Sequence, residues 1–99
     1  MGAKLTKGHG RPPALEELEE ALLRQGLQPT RWRNDPGYRY GQHEHRYHKV
    51  LYCGSGSITF HTDQGDFHLE PGDCLEVEPG TPHSATVGPQ GVECVEGAR

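Results

Sequence analysis

Histidine stands out in this sequence, because there are seven in 99 residues and three of them fall within a stretch of six. His43 and His45 are two residues apart, and alternate side chains of a β-strand share a face, so both imidazoles could bind one metal ion. Such a pair is weak evidence by itself. A Pro-Gly-Asp turn (71–73), an alternating strand and a second turn (79–82) then lead to His83, a third candidate.

The segments around these histidines resemble the two signature motifs of the cupin superfamily. The first motif, G(x)5HxH(x)3-4E(x)6G, has its glycines and histidines matched by Gly37, Gly56, His43 and His45. The second motif, G(x)5PxG(x)2H(x)3N, has its glycines and histidine matched by Gly72, Gly80 and His83. The sequence departs from these motifs at three positions: Lys49 replaces the glutamate, Glu78 the proline and Val87 the asparagine. The resemblance covers residues 30–95.

This resemblance implies an all-β fold of the cupin type, a double-stranded β-helix or jelly-roll barrel. It also implies that His43, His45 and His83 are ligands of a divalent transition metal ion inside the barrel. The identity of the ion stays open among Zn, Fe, Mn, Ni and Cu, since three-histidine sites suit all of these in differing degrees. Three imidazoles leave coordination positions open for water, dioxygen or a substrate.

Lys49 is the departure with the largest physical effect. A carboxylate would cancel one positive charge of the ion, whereas a protonated lysine adds one. Two unit charges about 4 Å apart in an effective dielectric of about 20 interact with an energy of roughly 4 kcal/mol. Three outcomes are open: the pKa of Lys49 is depressed, its head turns away, or no metal binds. With a metal bound, the pocket should favour an anionic ligand such as a carboxylate, enolate or phosphate.

Tyr47 and Lys49 are the candidate catalytic residues, as proton donor, base or anion clamp, because on a continuous strand they share the face of the two histidines. A packed barrel aromatic is the alternative for Tyr47. His48 has the opposite parity and is expected outside the barrel. Glu78 is an alternative source of the missing carboxylate, and Cys53 is expected to be a buried, inert thiol.

The elements that must position these residues are one helix and a series of short strands. Leucines at helical spacing between Pro13 and about Gln25 predict an amphipathic helix, whose apolar stripe packs on the barrel or on a second subunit. From Thr30 onward, Gly and Pro punctuate the chain. The predicted strands are 30–33, 38–52, 57–62, 66–70, 73–77, 83–87 and 92–96. Seven short strands bury their apolar faces by closing into a barrel or two packed sheets.

The length of 99 residues predicts a single domain, with a mobile arm at 1–12, the helix and its connection at 13–29, and the barrel at 30–99. No apolar run approaches the roughly 20 residues that span a bilayer and no signal peptide is recognisable, so we expect a cytoplasmic protein without a membrane partner. A net charge of -4 without a basic cluster argues against nucleic acid. The three cysteines form no CxxC pair and are expected to be reduced.

Three functions are compatible with these features. The first is a metal-binding cupin that acts on or binds a small anionic molecule, by a dioxygenase-type reaction or by proton transfer if it is an enzyme. The second is a non-catalytic module that binds or senses a small ligand, with or without metal, and the third is a metal-free barrel. Whether the protein is an enzyme stays open.

Only 17 residues are Leu, Ile, Val or Phe, and so small a core predicts a homodimer.

Overall fold

Seven antiparallel strands and one helix form the part of the chain, residues 2–99, that the computed structural model describes. Met1, which belongs to the predicted arm, lies outside the described residues. The elements in chain order are β1 Ala3–Thr6, α1 Leu15–Arg24, β2 Thr30–Asn34, β3 Arg39–His43, β4 Lys49–Thr62, β5 Gly65–Leu69, β6 Cys74–Val77 and β7 His83–Ala98. This architecture confirms the predicted all-β fold with a single helix near the N-terminus.

The two longest strands, β4 and β7, form the framework of the fold. They pair with each other along most of their length. The first part of β4 and the last part of β7 belong to a half-sheet with β1, β6 and β2. The rest of β4 and the rest of β7 belong to a second half-sheet with β5 and β3. The register of the pair shifts between Cys53 and Ser55 and again between Gly56 and Ile58. Irregularities of this kind bend strands, so one pair of strands serves both half-sheets.

Gly56 sits at this bend with a φ of +70°, in the left-handed region. A Cβ at this position would collide with the carbonyl oxygen of Gly91 on β7. Only glycine therefore fits where the two long strands approach each other most closely.

The core lies between the two half-sheets. Alternate residues of each strand point into it, as expected for a barrel with one polar face. The buried members of this cluster are Leu51, Cys53, Ile58, Phe60, Leu69, Leu75, Val77, Ala85, Val87, Val92 and Cys94.

Helix α1 covers the outer face of the first half-sheet. Leu18 and Leu22 are buried and pack against Val50 and Val95 of the two long strands. The apolar stripe thus packs on the barrel, the first of the two predicted alternatives, and is not free to form a dimer interface. The homodimer stays a prediction that rests on the small core.

No helix within residues 2–99 has the length and apolar character needed to cross a membrane.

Several predicted strand boundaries are wrong. The predicted strand 38–52 is interrupted by a loop at 44–48, and the predicted strands 83–87 and 92–96 are parts of the single strand β7. The predicted strand 57–62 likewise continues the strand that begins at Lys49. Glycines that indicate strand ends in the sequence are instead bends within one hydrogen-bonded ladder.

The prediction of a mobile arm differs from the structure over its first half. Residues 3–6 form β1, which pairs with β6 from Ala3 opposite Val77 to Thr6 opposite Cys74. The backbone N–H of Glu78 also donates to the carbonyl oxygen of Gly2, 2.8 Å away. Backbone hydrogen bonding to an open sheet edge leaves no strong pattern in the sequence, which explains the difference.

Asp73 anchors this N-terminal segment. Its carboxylate accepts hydrogen bonds from Lys7 Nζ at 2.6 Å, from the backbone N–H of Gly8 at 2.8 Å and from that of Glu70 at 2.8 Å. The side chain is only 4% exposed. Burial by itself raises the pKa of the Asp73 carboxyl, but these hydrogen bonds more than offset it, so the pKa lies below its usual value.

We expect Asp73→Asn to lower the free energy of unfolding by about 1.5 to 3 kcal/mol at neutral pH, because charge-assisted hydrogen bonds to a buried group are lost. The pKa of Asp73 is lower in the folded state than in the unfolded state. The carboxylate therefore makes its full contribution to the stability of the fold above the unfolded pKa of about 3.9, and this contribution is lost as the pH falls through the folded-state pKa. Urea unfolding of both proteins should therefore give a difference that shrinks below about pH 4. Asp66→Asn, at a side chain 64% exposed, is the control and should cost at most about 1 kcal/mol. A difference that persists unchanged in acid contradicts this prediction.

Candidate metal centre

Three histidine side chains meet at one end of the barrel. His43 is the last residue of β3 and lies directly across the ladder from His83, the first residue of β7. His45 comes from the loop 44–48. The ring centroids are 4.9 Å apart for His43 and His45, 4.3 Å for His43 and His83, and 5.2 Å for His45 and His83.

One ligand atom of each imidazole lies within 4.8 Å of those of the other two. Nitrogens that share one ion at about 2.1 Å are roughly 3 to 4 Å apart, so the cluster is close to the size of a metal site. The structure thus brings together all three of the histidines predicted as ligands.

Backbone carbonyls fix the ring orientation of two of these histidines. Nδ1 of His43 lies 2.7 Å from the carbonyl oxygen of Gly41, and Nδ1 of His83 lies 2.9 Å from that of Thr81. A carbonyl oxygen only accepts, so Nδ1 must carry the proton and donate it. In the neutral form of such a ring Nε2 is the unprotonated nitrogen, and this is the form that binds a metal.

The Nε2 atoms of His45 and His83 are buried and have no hydrogen-bond partner among the described residues. A buried polar atom without a partner is costly, and it calls for a missing ligand, water or ion. Burial is also the main reason why the pKa values of both imidazoles lie below the ordinary histidine value. Neutral imidazoles with free Nε2 atoms fit a divalent transition metal ion.

A cavity of about 310 Å³ adjoins this cluster. Its lining residues are Trp32, Arg33, Asn34, Tyr40, His43, Lys49, Phe60, Ala85 and Glu96. Aromatic walls with a few polar groups, in a volume of about this size, are typical of small-molecule sites. His43 is shared by the cluster and the cavity, so a molecule in the cavity would contact the histidine centre.

The comparison with known families agrees with this geometry. Residues 30–94 match the family model described as "Cupin domain". The chain belongs to the cupin family. The all-β fold is therefore that of a cupin, as the motif resemblance indicated.

Two of the three relatives described here are much longer than this chain. The chain is 43% identical over 49 residues to quercetin 2,3-dioxygenase of Bacillus subtilis (strain 168), a match that covers 48% of the chain and 14% of the dioxygenase. A chain in the crystal structures of the DMSP lyases RdDddP and RnDddQII is 30% identical with a TM-score of 0.69, covering 76% of this chain and 39% of that one. An RmlC-like cupin from Shewanella frigidimarina is 26% identical with a TM-score of 0.65, covering 73% and 64% of the two chains.

Lys49 has a counter-charge in this cupin that sequence reasoning missed. Its side chain is 9% exposed, and Nζ lies 3.3 Å from Oε1 of Glu96, which is 22% exposed. The same carboxylate oxygen accepts a hydrogen bond from Trp32 Nε1 at 2.7 Å. Glu96 follows Val92 and Cys94, two buried core residues, at alternate positions of β7. This parity is the signal that could have identified a carboxylate inside the barrel.

Tyr47 lies apart from the cavity, because the loop 44–48 breaks the strand that would have placed it beside Lys49. Its ring stacks on His45 with centroids 4.8 Å apart and is 37% exposed. The catalytic roles of Lys49 and Tyr47 stay predictions, and of the two only Lys49 lines the cavity.

The other polar candidates lie outside the cluster. His48 Nε2 is 2.9 Å from Oε1 of Glu76, and Glu78 is exposed, so neither His48 nor Glu78 joins the three histidines. His61 and His68 lie on neighbouring strands and contact Asp66 and Thr59, respectively. These two histidines therefore belong to a polar strand face outside the cluster.

The cysteines are free and largely shielded. Cys53 and Cys94 are opposite each other on β4 and β7 and are fully buried. Cys74 is half-buried, and burial raises the pKa of its thiol to about 11. Thiolates react and thiols do not, so Cys74 is held in its unreactive form. The hydrogen bond with Cys94 lowers the pKa of the Cys53 thiol, but Cys53 and Cys94 are both fully buried and are therefore shielded from reagents.

We expect a thiol-specific disulfide reagent to label the native protein slowly and the urea-unfolded protein rapidly at three thiols. Any slow labelling of the native state should fall mainly on Cys74 and disappear in Cys74→Ser. The measurement is the absorbance of the released chromophore over time. Fast native labelling that survives in Cys74→Ser would show an accessible Cys53 or Cys94 and contradict the prediction.

Proposed function

We propose that this cupin is a mononuclear metal-binding protein that holds a small anionic molecule at the three-histidine centre. One observation carries the proposal: two buried Nε2 atoms, of His45 and His83, lack partners within a cluster whose ligand atoms lie within 4.8 Å of one another. His43 completes the ligand set. When bound, a divalent ion would supply Lewis acidity and open coordination positions to the adjoining cavity.

The protein's own residues prepare the site for such a ligand. The Gly41 and Thr81 carbonyls hold His43 and His83 with Nε2 free. His83 is only 1% exposed, and the ring centroid of Phe60 lies 6.2 Å from that of His83. Fixed orientation and exclusion of water both favour binding, because less freedom is lost when the ligand enters.

The preference for an anion comes from the charge balance of the cavity. The Lys49 ammonium is paired with Glu96, so the pair adds little net charge, and three neutral imidazoles leave the charge of an ion uncompensated. An ammonium also has three donors, and one is directed at Glu96, so others can donate to an oxygen of the ligand. A small oxyanion that reaches both the centre and Lys49 fits this arrangement best.

Two relatives support action on a small molecule. The names quercetin 2,3-dioxygenase and DMSP lyase describe enzymes with small substrates. The chain spans only a minor part of either protein, so reaction type belongs to the proposal: a dioxygenase-type reaction, or proton transfer in which Lys49 or Tyr47 moves the proton.

The metal centre is tested by titrating untagged, metal-stripped protein with Zn²⁺ against a chromophoric chelator. We expect one equivalent to bind to the wild type, and His83→Ala and His43→Ala to weaken binding by more than about 100-fold, since loss of a ligand exceeds the effects of outer-shell changes. His68→Ala, at a histidine of the outer strand face, is the matched control and should bind like the wild type. Binding of less than about a tenth of an equivalent by the wild type would reject the centre.

The anion preference is tested with oxalate, a small oxygen donor, on the Co²⁺-loaded protein. We expect oxalate to change the visible spectrum of the bound Co²⁺ and to bind the metal-free protein at least about tenfold more weakly, because the ion supplies the positive charge. Equal binding with and without metal would contradict the proposal. A parallel screen of small carboxylates for oxygen uptake separates an enzyme from a binding module, for which oxygen uptake stays at the background rate.

A further inference from the structure

Glu96 stands beside the residue that replaces the acid of the first cupin motif. Lys49 takes that position in the sequence, and Glu96 of β7 lies against it in the cavity. We propose that Glu96 supplies the negative charge that the motif position lacks, and that its pairing with Lys49 is what allows the histidine centre to hold a divalent ion. This inference rests on the proposed function.

The geometry of the pair is fixed by the β-ladder. Lys49 begins β4 and Glu96 is near the end of β7, where the two strands are paired with Leu51 opposite Glu96. Trp32 Nε1 on β2 holds the same carboxylate oxygen at 2.7 Å. Three neighbouring strands therefore position the carboxylate, so it stays beside the ammonium without a large loss of side-chain freedom.

The energetic reason is the cost of a buried charge next to a dication. An ammonium that is 9% exposed and has no partner would be poorly solvated and would repel an ion bound nearby. A paired carboxylate satisfies the ammonium and cancels most of its field at the centre.

No other acid among the cavity-lining residues can take this role. Glu76 is occupied by His48 on another part of the surface, and Glu78 is exposed. Glu93, which is adjacent to the core residue Cys94 and on the opposite parity from Glu96, contacts Ser55. Removal of the Glu96 carboxylate should therefore change the affinity of the histidine centre for a metal ion.

The test is a double-mutant cycle on the affinity for Zn²⁺ alone, measured by chelator competition with Glu96→Gln, Lys49→Met and the double variant. Glu96→Gln should weaken binding by roughly 10- to 100-fold, the range for outer-shell groups. Lys49→Met should bind as tightly as the wild type or more tightly. The double variant should return to within about threefold of the wild type, because the unpaired ammonium is gone.

Glu93→Gln is the matched control, because it removes the same charge from the same strand outside the cavity, and it should leave the affinity unchanged. Far-ultraviolet circular dichroism and fluorescence of Trp32, the single tryptophan, verify that each metal-free variant is folded. If Glu96→Gln does not fold, the double variant decides: binding within about threefold of the wild type supports the inference.

Two results overturn the inference while leaving the proposed function in place. One is a Glu96→Gln protein that binds Zn²⁺ within about threefold of the wild type, and the other is a folded double variant more than about tenfold weaker than the wild type. A wild type that binds no Zn²⁺ overturns the proposed function itself, and the inference with it.

Discussion

The continuous pairing of β4 with β7 is the constraint on which the rest of the structure depends. Because the two strands bend together at their register shifts, each contributes to both half-sheets, and the core forms between these. Ala85 near the start of β7 and Glu96 near its end line the same cavity, and His83, the first residue of β7, lies in the adjoining histidine cluster. Residues that are far apart along one strand are thereby brought to one region of the barrel.

The electrostatics of the site follow from this arrangement. The cluster consists of three imidazoles, and backbone carbonyls orient two of them, His43 and His83, so that Nε2 can bind a cation. The neighbouring charges occur as a pair, Lys49 with Glu96, within a largely aromatic wall. The glutamate of the first cupin motif is absent from its sequence position, but the carboxylate of Glu96 lies beside Lys49, the residue that takes that position.

The sequence predicted the parts of this protein that depend on local spacing. The motif intervals placed His43, His45 and His83 in one group, and the leucine spacing gave the helix and its buried face. The sequence did not predict features that depend on pairing between distant segments. The loop 44–48 and the bends in β4 and β7 were misread, since Gly and Pro mark breaks and bends alike.

Glu96 was missed for a related reason: its partner, Lys49, is on a different strand, and only the register of β4 against β7 brings them together. The alternation along β7 carried a usable signal, an acid at a core-facing position, but assigning inside and outside requires knowing where the strand bends. Local patterns are thus sufficient to group the three histidines, whereas the charge balance around them requires knowledge of the three-dimensional pairing.

The pairing of β1 with β6 has a consequence for how the chain reaches this structure. β1 is made well before Cys74–Val77, with which it pairs, so this pairing closes one of the longest loops in the described part of the chain. Contacts between such distant segments form slowly, and during synthesis residues 3–6 must wait as an unpaired strand. The edge of the barrel at β1 cannot be completed until the chain has been made as far as Val77.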